Sequence, residues 1–229
     1  DLNSSLEQIL TSISVEPKTS KHGFQMVSTL NFTNDTMIAK ILDSKIKLND
    51  KYWVIEKGNS VMLYDSIFET QGFKIVQDQQ AIYLQNGKNT LSDLKLTLNN
   101  INLADIAQII DTTGSIKRGD LTGTINLKNV LKNPEIHTDL VINDFKIIDY
   151  EAKYIGLDAI YGRGGKKIAE FGGVLDDPNY QLAFNGSYDM QVKGKEKLDV
   201  DALIDKLDLS FLQTLLKNEI LILKYIVQK

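Results

Sequence analysis

Apolar residues recur at every second position over most of this chain, the spacing that gathers them on one face of a β-strand. Phe24, Met26, Leu30 and Phe32 share one parity, with Ser28 between them. Leu94, Leu96 and Leu98 alternate with Lys95 and Thr97, and Leu121, Gly123, Ile125 and Leu127 alternate with Thr122, Thr124, Asn126 and Lys128. After Asn133-Pro134, Ile136, Leu140 and Ile142 continue opposite Asp139 and Asn143. Parity changes at Asn143-Asp144, so Phe145 and Ile147 require a turn or bulge there. Leu157, Ala159 and Tyr161 form a further face, and Leu182, Phe184 and Tyr188 the last clear one. Turn signals fall between these runs at Lys57-Gly58-Asn59, Asn86-Gly87, Arg118-Gly119-Asp120, Gly162-Arg-Gly-Gly165 and Asp177-Pro178-Asn179. Asp176-Asp177-Pro178-Asn179 predicts a hairpin. Short strands without long helices between them predict an antiparallel, meander-like sheet and argue against a parallel Rossmann-type one.

Helical spacing is confined to a segment that occurs more than once. Residues 94–110 and 200–216 match at an offset of 106: Leu98, Ile101, Leu103, Ile106, Ile109 and Ile110 fall on Ile204, Leu207, Leu209, Leu212, Leu215 and Leu216. A weaker copy opens the chain at Leu2, Leu6, Ile9 and Leu10. Leu103, Ile106, Ile109 and Ile110 share a helical face, as do Leu209, Leu212, Leu215 and Leu216. Asn102 and Asp208 are expected N-caps, and Gly114 an expected stop for the first helix. Helices of about ten residues are marginal alone and must dock on a sheet. Repetition at this period predicts tandem units, each a small sheet plus a helix. We expect one unit over residues 1–110, cut at its start, and a second over 111–229 that includes the beginning of the next; the chain then reads as a piece of a longer protein.

Composition narrows the chemistry. The 42% hydrophobic and 24% charged fractions are those of a folded protein. A net charge of −4 opposes general nucleic-acid binding, which needs a basic surface. No cysteine occurs, so disulfides and thiolate metal sites are excluded. No run of about 18 apolar residues predicts a membrane-spanning helix. His22 and His137 are far apart in sequence, and the set Asp199, Asp201, Asp205 and Asp208 lacks calcium-loop spacing. Gly162-Arg-Gly-Gly-Lys-Lys167 lacks the Gly-Lys-Ser/Thr ending of a phosphate loop and reads as a basic hairpin. No catalytic residue, metal or cofactor is expected, and the chain is not expected to be an enzyme.

A strand, the helix from Asn102 to Ile110, the strand Arg118-Gly-Asp-Leu-Thr-Gly-Thr-Ile-Asn-Leu127, a proline break and then Tyr154-Ile-Gly-Leu-Asp-Ala-Ile-Tyr161 follow in order. This order resembles the TamB family of envelope proteins, within the wider AsmA-like group, over most of residues 24–216. The first unit departs from the pattern, having no clear Gly-x-Leu-x-Gly strand. The resemblance implies a mainly β fold: an elongated, curled antiparallel groove (a β-taco) of tandem units with short amphipathic helices at the unit junctions. It further implies a periplasmic location within a longer, inner-membrane-anchored chain of a Gram-negative envelope. The implied partners are phospholipid acyl chains and an outer-membrane barrel protein of the TamA or BamA type. The implied function is lipid transfer between the two membranes. On that reading the groove is lined by Leu94, Leu96, Leu98, Leu121, Ile125, Leu127, Ile136, Leu140, Ile142, Leu182 and Phe184, with Gly123 and Gly186 permitting curvature or close approach. An alternating apolar face is by itself far more often an ordinary closed core, and only the repeat and the resemblance turn the reading toward a groove. Two other readings stand beside the conduit: a scaffold for outer-membrane barrel assembly, and a plain β-repeat spacer or adhesin.

Overall fold

The computed structural model describes residues 8–15, 21–33, 35–64, 67–87, 93–110, 115–130, 133–148, 150–178 and 180–207. The expected caps Asp208 and Gly114, the second helical face from Leu209 to Leu216, and Leu2 and Leu6 all lie outside the described residues. In the first half, the strands are β1 Gln8–Val15, β2 Gly23–Thr33, β3 Thr36–Ile41, β4 Ser44–Leu48, β5 Lys51–Ile55, β6 Ser60–Tyr64, β7 Ile67–Gln71, β8 Phe73–Gln77 and β9 Gln80–Asn86. In the second, they are β10 Leu94–Asn102, β11 Ile116–Lys128, β12 Glu135–Ile147, β13 Tyr150–Tyr161, β14 Ile168–Asp177, β15 Tyr180–Asp189 and β16 Lys197–Leu207, with one helix, α1 Leu103–Ile110, after β10. All sixteen strands belong to a single antiparallel sheet that does not close on itself.

From β8 to β16 each strand pairs with the next in sequence, so this part is the expected meander. The hairpin at Asp177 and Pro178 joins β14 to β15, with Asp177 paired to Tyr180. The first half departs from a meander, and polar side chains explain why. One edge of β2 carries β1. The other is divided: Gly23 to Gln25 pair with β4, and Ser28 to Thr33 with β3. At the division the Val27 amide donates to Ser44 Oγ (2.9 Å), while Ser44 Oγ and the Leu42 amide both donate to the Val27 carbonyl (3.2 and 2.8 Å). Ser28, on the apolar parity of β2, is buried and meets Thr11 Oγ1 at 2.7 Å.

Two arms leave this point, β3-β6-β7 and β4-β5-β8-β9. Asn59 ties them together: its carbonyl accepts from the Ile41 amide (2.9 Å), and its side chain exchanges two bonds with the Lys74 backbone (3.3 Å each). Only 1% of Asn59 is exposed, so these bonds answer its buried amide group. Nearer the tips, Asn86 of β9 accepts from the Thr70 amide (2.6 Å) and donates to the Phe68 carbonyl (2.7 Å) of β7. Within the second arm, Asn49 and Asp50 both have positive φ (50° and 62°), the two-residue turn whose twist suits a tight hairpin. The buried apolar residues Ile41, Trp53, Ile55 and Ala81 collect in this branched half, against Leu94, Ile101 and Ala152 in the meander.

Helix α1 begins as expected. Asn102 Oδ1 accepts from the amides of Ala104 (2.9 Å) and Asp105 (3.2 Å). Asp105, in the first turn where the helix dipole favours a carboxylate, is held by Lys51 Nζ at 2.7 Å, and its carbonyl accepts from Asn49 Nδ2 at 2.6 Å. Arg118-Gly119-Asp120, expected to turn, instead lies inside β11 at a register shift. Gly119 is buried with φ 150°, and a methyl group there would come within 3.3 Å of Leu103, Phe145 and Ile142. The glycine serves close packing of α1 on the sheet. The parity change at Asn143-Asp144 is met by a left-handed Asp144 (φ 49°), where the register against β11 shifts.

Candidate functional site

Cross-strand pairing in an antiparallel sheet puts directly opposed residues on the same face. Following that register across the meander assembles four rows. The first runs Leu94, Leu127, Ile136, Tyr161, Ala169, Tyr188 and Leu198; the second Leu96, Ile125, Thr138, Ala159, Phe171, Gly186 and Val200. The third runs Leu98, Gly123, Leu140, Leu157, Gly173, Phe184 and Ala202, and the fourth Leu121, Ile142, Ile155, Leu175, Leu182 and Ile204. All eleven expected positions, Leu94, Leu96, Leu98, Leu121, Ile125, Leu127, Ile136, Leu140, Ile142, Leu182 and Phe184, therefore stand on one face. Leu94 is buried and the other ten are half-buried. The only polar side chain in these rows apart from the tyrosine hydroxyls is Thr138, whose hydroxyl turns to the Ala159 carbonyl at 3.5 Å.

Strand β14 contributes residues that sequence reasoning missed. Phe171, Gly173 and Leu175 carry the period of two, but Gly172-Gly173 leaves only two large side chains to signal it. Ile155 escaped because Gly156 interrupts the run. The rows also extend backwards, since Leu96 and Leu98 pair with Leu84 and Ile82, and these with Phe73 and Ile75.

Gly123 and Gly186 both sit where a neighbouring backbone comes close. A Cβ on Gly123 would lie 2.2 Å from the Asp139 carbonyl oxygen, and one on Gly186 2.5 Å from that of Asp199. The ring of Phe171 covers Gly186, and the ring of Phe184, directly across from Gly173, covers that glycine. The two rings lie 6.4 Å apart, tilted by 53°. A depression of about 630 Å³ opens on the opposite face of the sheet here, where Val141, Tyr154, Asp158, Glu170, Val174 and Asn185 line it and alternate along the strands with the residues of the four rows. Gly156, Gly172, Gly173 and Gly186 are also among its lining residues, leaving backbone without side chains.

Comparison of the chain with family models, with curated proteins and with solved structures finds no match.

Charge is kept off the four rows. Asp139 and Asp158 oppose each other on the other face and are exposed, as are Glu170, Asp176, Asp199 and Asp201. Toward one end of the strands, Lys128 Nζ (3.0 Å) and His137 Nε2 converge on Glu135 Oε1. Those two bonds, that of His137 foremost, hold the Glu135 carboxyl down to about 2. Toward the other end, Lys146 Nζ (2.6 Å) and Arg118 Nη2 (3.1 Å) flank Glu151 and lower its pKa, through the Lys146 hydrogen bond first. Among the described residues no three His, Asp or Glu side chains gather to hold a metal ion. The arrangement is an apolar sheet face bordered by charge.

Proposed function

We propose that this chain is a segment of a periplasmic, TamB-like lipid conduit whose apolar sheet face shields phospholipid acyl chains between inner and outer membranes. The observation that carries the reading is the set of rows: ten of the eleven expected lining residues are half-buried rather than sealed. Natural cores are close-packed, so partial exposure across a whole apolar face leaves space for a guest. A phospholipid with ~30 methylenes, at about 0.8 kcal/mol each, resists crossing water by roughly 20 kcal/mol or more. A face of Leu, Ile and Phe removes much of that barrier. Uniform, weak contact along the rows suits movement better than one tight pocket.

The finer architecture belongs to the same proposal: a curled groove of tandem units. Two bulges support it. β10 gains one residue against β11 just after Leu98, and β16 gains one against β15 just after Ile204, the equivalent residue at the offset of 106. The test is a photoreactive residue at Ile125 or Phe184, with lipid extraction and native mass spectrometry of the purified chain. Crosslinked and co-purified phospholipid is the expected result. Neither lipid nor crosslink at either position would remove the conduit.

A further inference from the structure

We propose that the end of the sheet formed by residues 162–167 and 190–196 docks on the surface of an anionic lipid bilayer. This inference concerns loops rather than the apolar face and stands or falls separately from the conduit. The two loops are joined, the Met190 amide donating to the Lys167 carbonyl at 2.9 Å. Each is also shaped from within: Gly165 N–H bonds the Gly162 carbonyl at 2.9 Å, and Lys195 N–H the Val192 carbonyl at 3.0 Å. The first is seated against Pro134, whose carbonyl oxygen lies 2.3 Å from where a Cβ on Gly162 would stand.

Five cations project from these loops, Arg163, Lys166, Lys167, Lys193 and Lys195, in a chain whose net charge is −4. All five are exposed. Arg163 pairs with Glu170 at 3.2 Å; the four lysines have no ion pair among the described residues. The one acid in either loop, Glu196, bonds the Gly194 amide at 2.9 Å instead of a lysine. Four of the five cations in this local patch are therefore unpaired among the described residues. Val192 sits between the lysine-bearing stretches and is 55% exposed. Lysines around an exposed apolar tip match the chemistry of a headgroup layer over hydrocarbon, where each cation adds attraction and the apolar side chain enters the interface. Neither loop has an aromatic residue on which a nucleobase could stack, which favours the bilayer over a nucleic acid.

The test is co-sedimentation of the whole chain with phosphatidylcholine vesicles, with and without phosphatidylglycerol. Binding is expected only with phosphatidylglycerol, and raising salt should weaken it. Changing Lys166, Lys167, Lys193 and Lys195 together to Gln should weaken it by about a hundredfold or more, given roughly five-fold per lysine. The same number of changes at exposed Lys40, Lys57, Lys117 and Lys153 should leave most of it, with far-UV circular dichroism unchanged in both. Equal binding to uncharged vesicles overturns the proposal, as does equal loss in both variants. Lysine-dependent capture of a single-stranded oligonucleotide without vesicle binding also overturns it.

Discussion

Glycines in this sheet answer to different neighbours, and their substitution costs should follow. A methyl on Gly123 would run into two backbone atoms of β12, 2.2 Å from the Asp139 oxygen and 2.8 Å from Leu140 Cα, at a φ of 151° that side chains avoid. Gly123→Ala should be the most damaging, by about 2–3 kcal/mol or more. At Gly186 a single backbone atom is close, the Asp199 oxygen at 2.5 Å, and the other contacts are to the movable ring of Phe171, so Gly186→Ala should cost less. Gly172 meets only the Asp158 carboxylate at 3.0 Å, a side chain that swings away, and Gly172→Ala should be nearly neutral. Urea unfolding of the three variants checks that order; a Gly172→Ala loss as large as that of Gly123→Ala would contradict it. Glu135 gives a second prediction. Its carboxyl is held to about 2, below the ordinary value of 4.5, so the stability it adds is complete above the ordinary value and disappears as pH falls through about 2. Thermal midpoints between pH 5 and 2 should fall less steeply in Glu135→Gln than in the parent chain. Parallel curves would show that His137 and Lys128 do not favour the carboxylate.

Among elements, the branched arms depend on few contacts. Asn59→Ala takes the partner from the Lys74 amide and leaves the Lys74 carbonyl with the Glu56 amide alone (3.0 Å), and an unmade bond in a buried place costs about 1–3 kcal/mol. Hydrogen exchange should then rise in β3 and β6 while β12 to β15 stay protected. Uniform exchange across all strands would mean that the arms and the meander unfold as one. Asn102→Ala removes two bonds to the first turn of α1 and should cost about 1 kcal/mol. Period-two spacing was enough to gather Leu94, Leu96 and Leu98 on one face and Leu121, Ile125 and Leu127 on another, and the two faces coincide because each strand there meets its sequence neighbour. The arms were not legible. Their pairing is fixed by Ser28, Ser44 and Asn59, polar residues whose partners are distant in sequence and carry no periodic signal. Arg118-Gly119-Asp120 misled for a related reason: a glycine that makes room for Leu103 looks the same in sequence as one that makes a turn.

At the scale of the whole molecule, an apolar face and a charged one run back to back across the meander, and the half-burial of the first separates two physical outcomes. Leu127 and Leu140 lie in different rows of that face and are both half-buried. If the face is lined for a guest, an arginine at either position lays its stem along neighbouring leucines and reaches water with its guanidinium. Leu127→Arg and Leu140→Arg should then keep far-UV circular dichroism and a cooperative thermal transition. Lipid crosslinking at Ile125 should fall sharply, because the charge now stands in the path of the acyl chains. In a closed core the same change buries an unpaired charge, which proteins do not tolerate, and the chain should unfold or aggregate. Folding and lipid contact are read separately, so the conduit requires one particular pair of results: a folded sheet together with lost lipid contact. An unfolded variant assigns the face to the protein's own core, and a folded variant with undiminished crosslinking moves the lipid away from these rows.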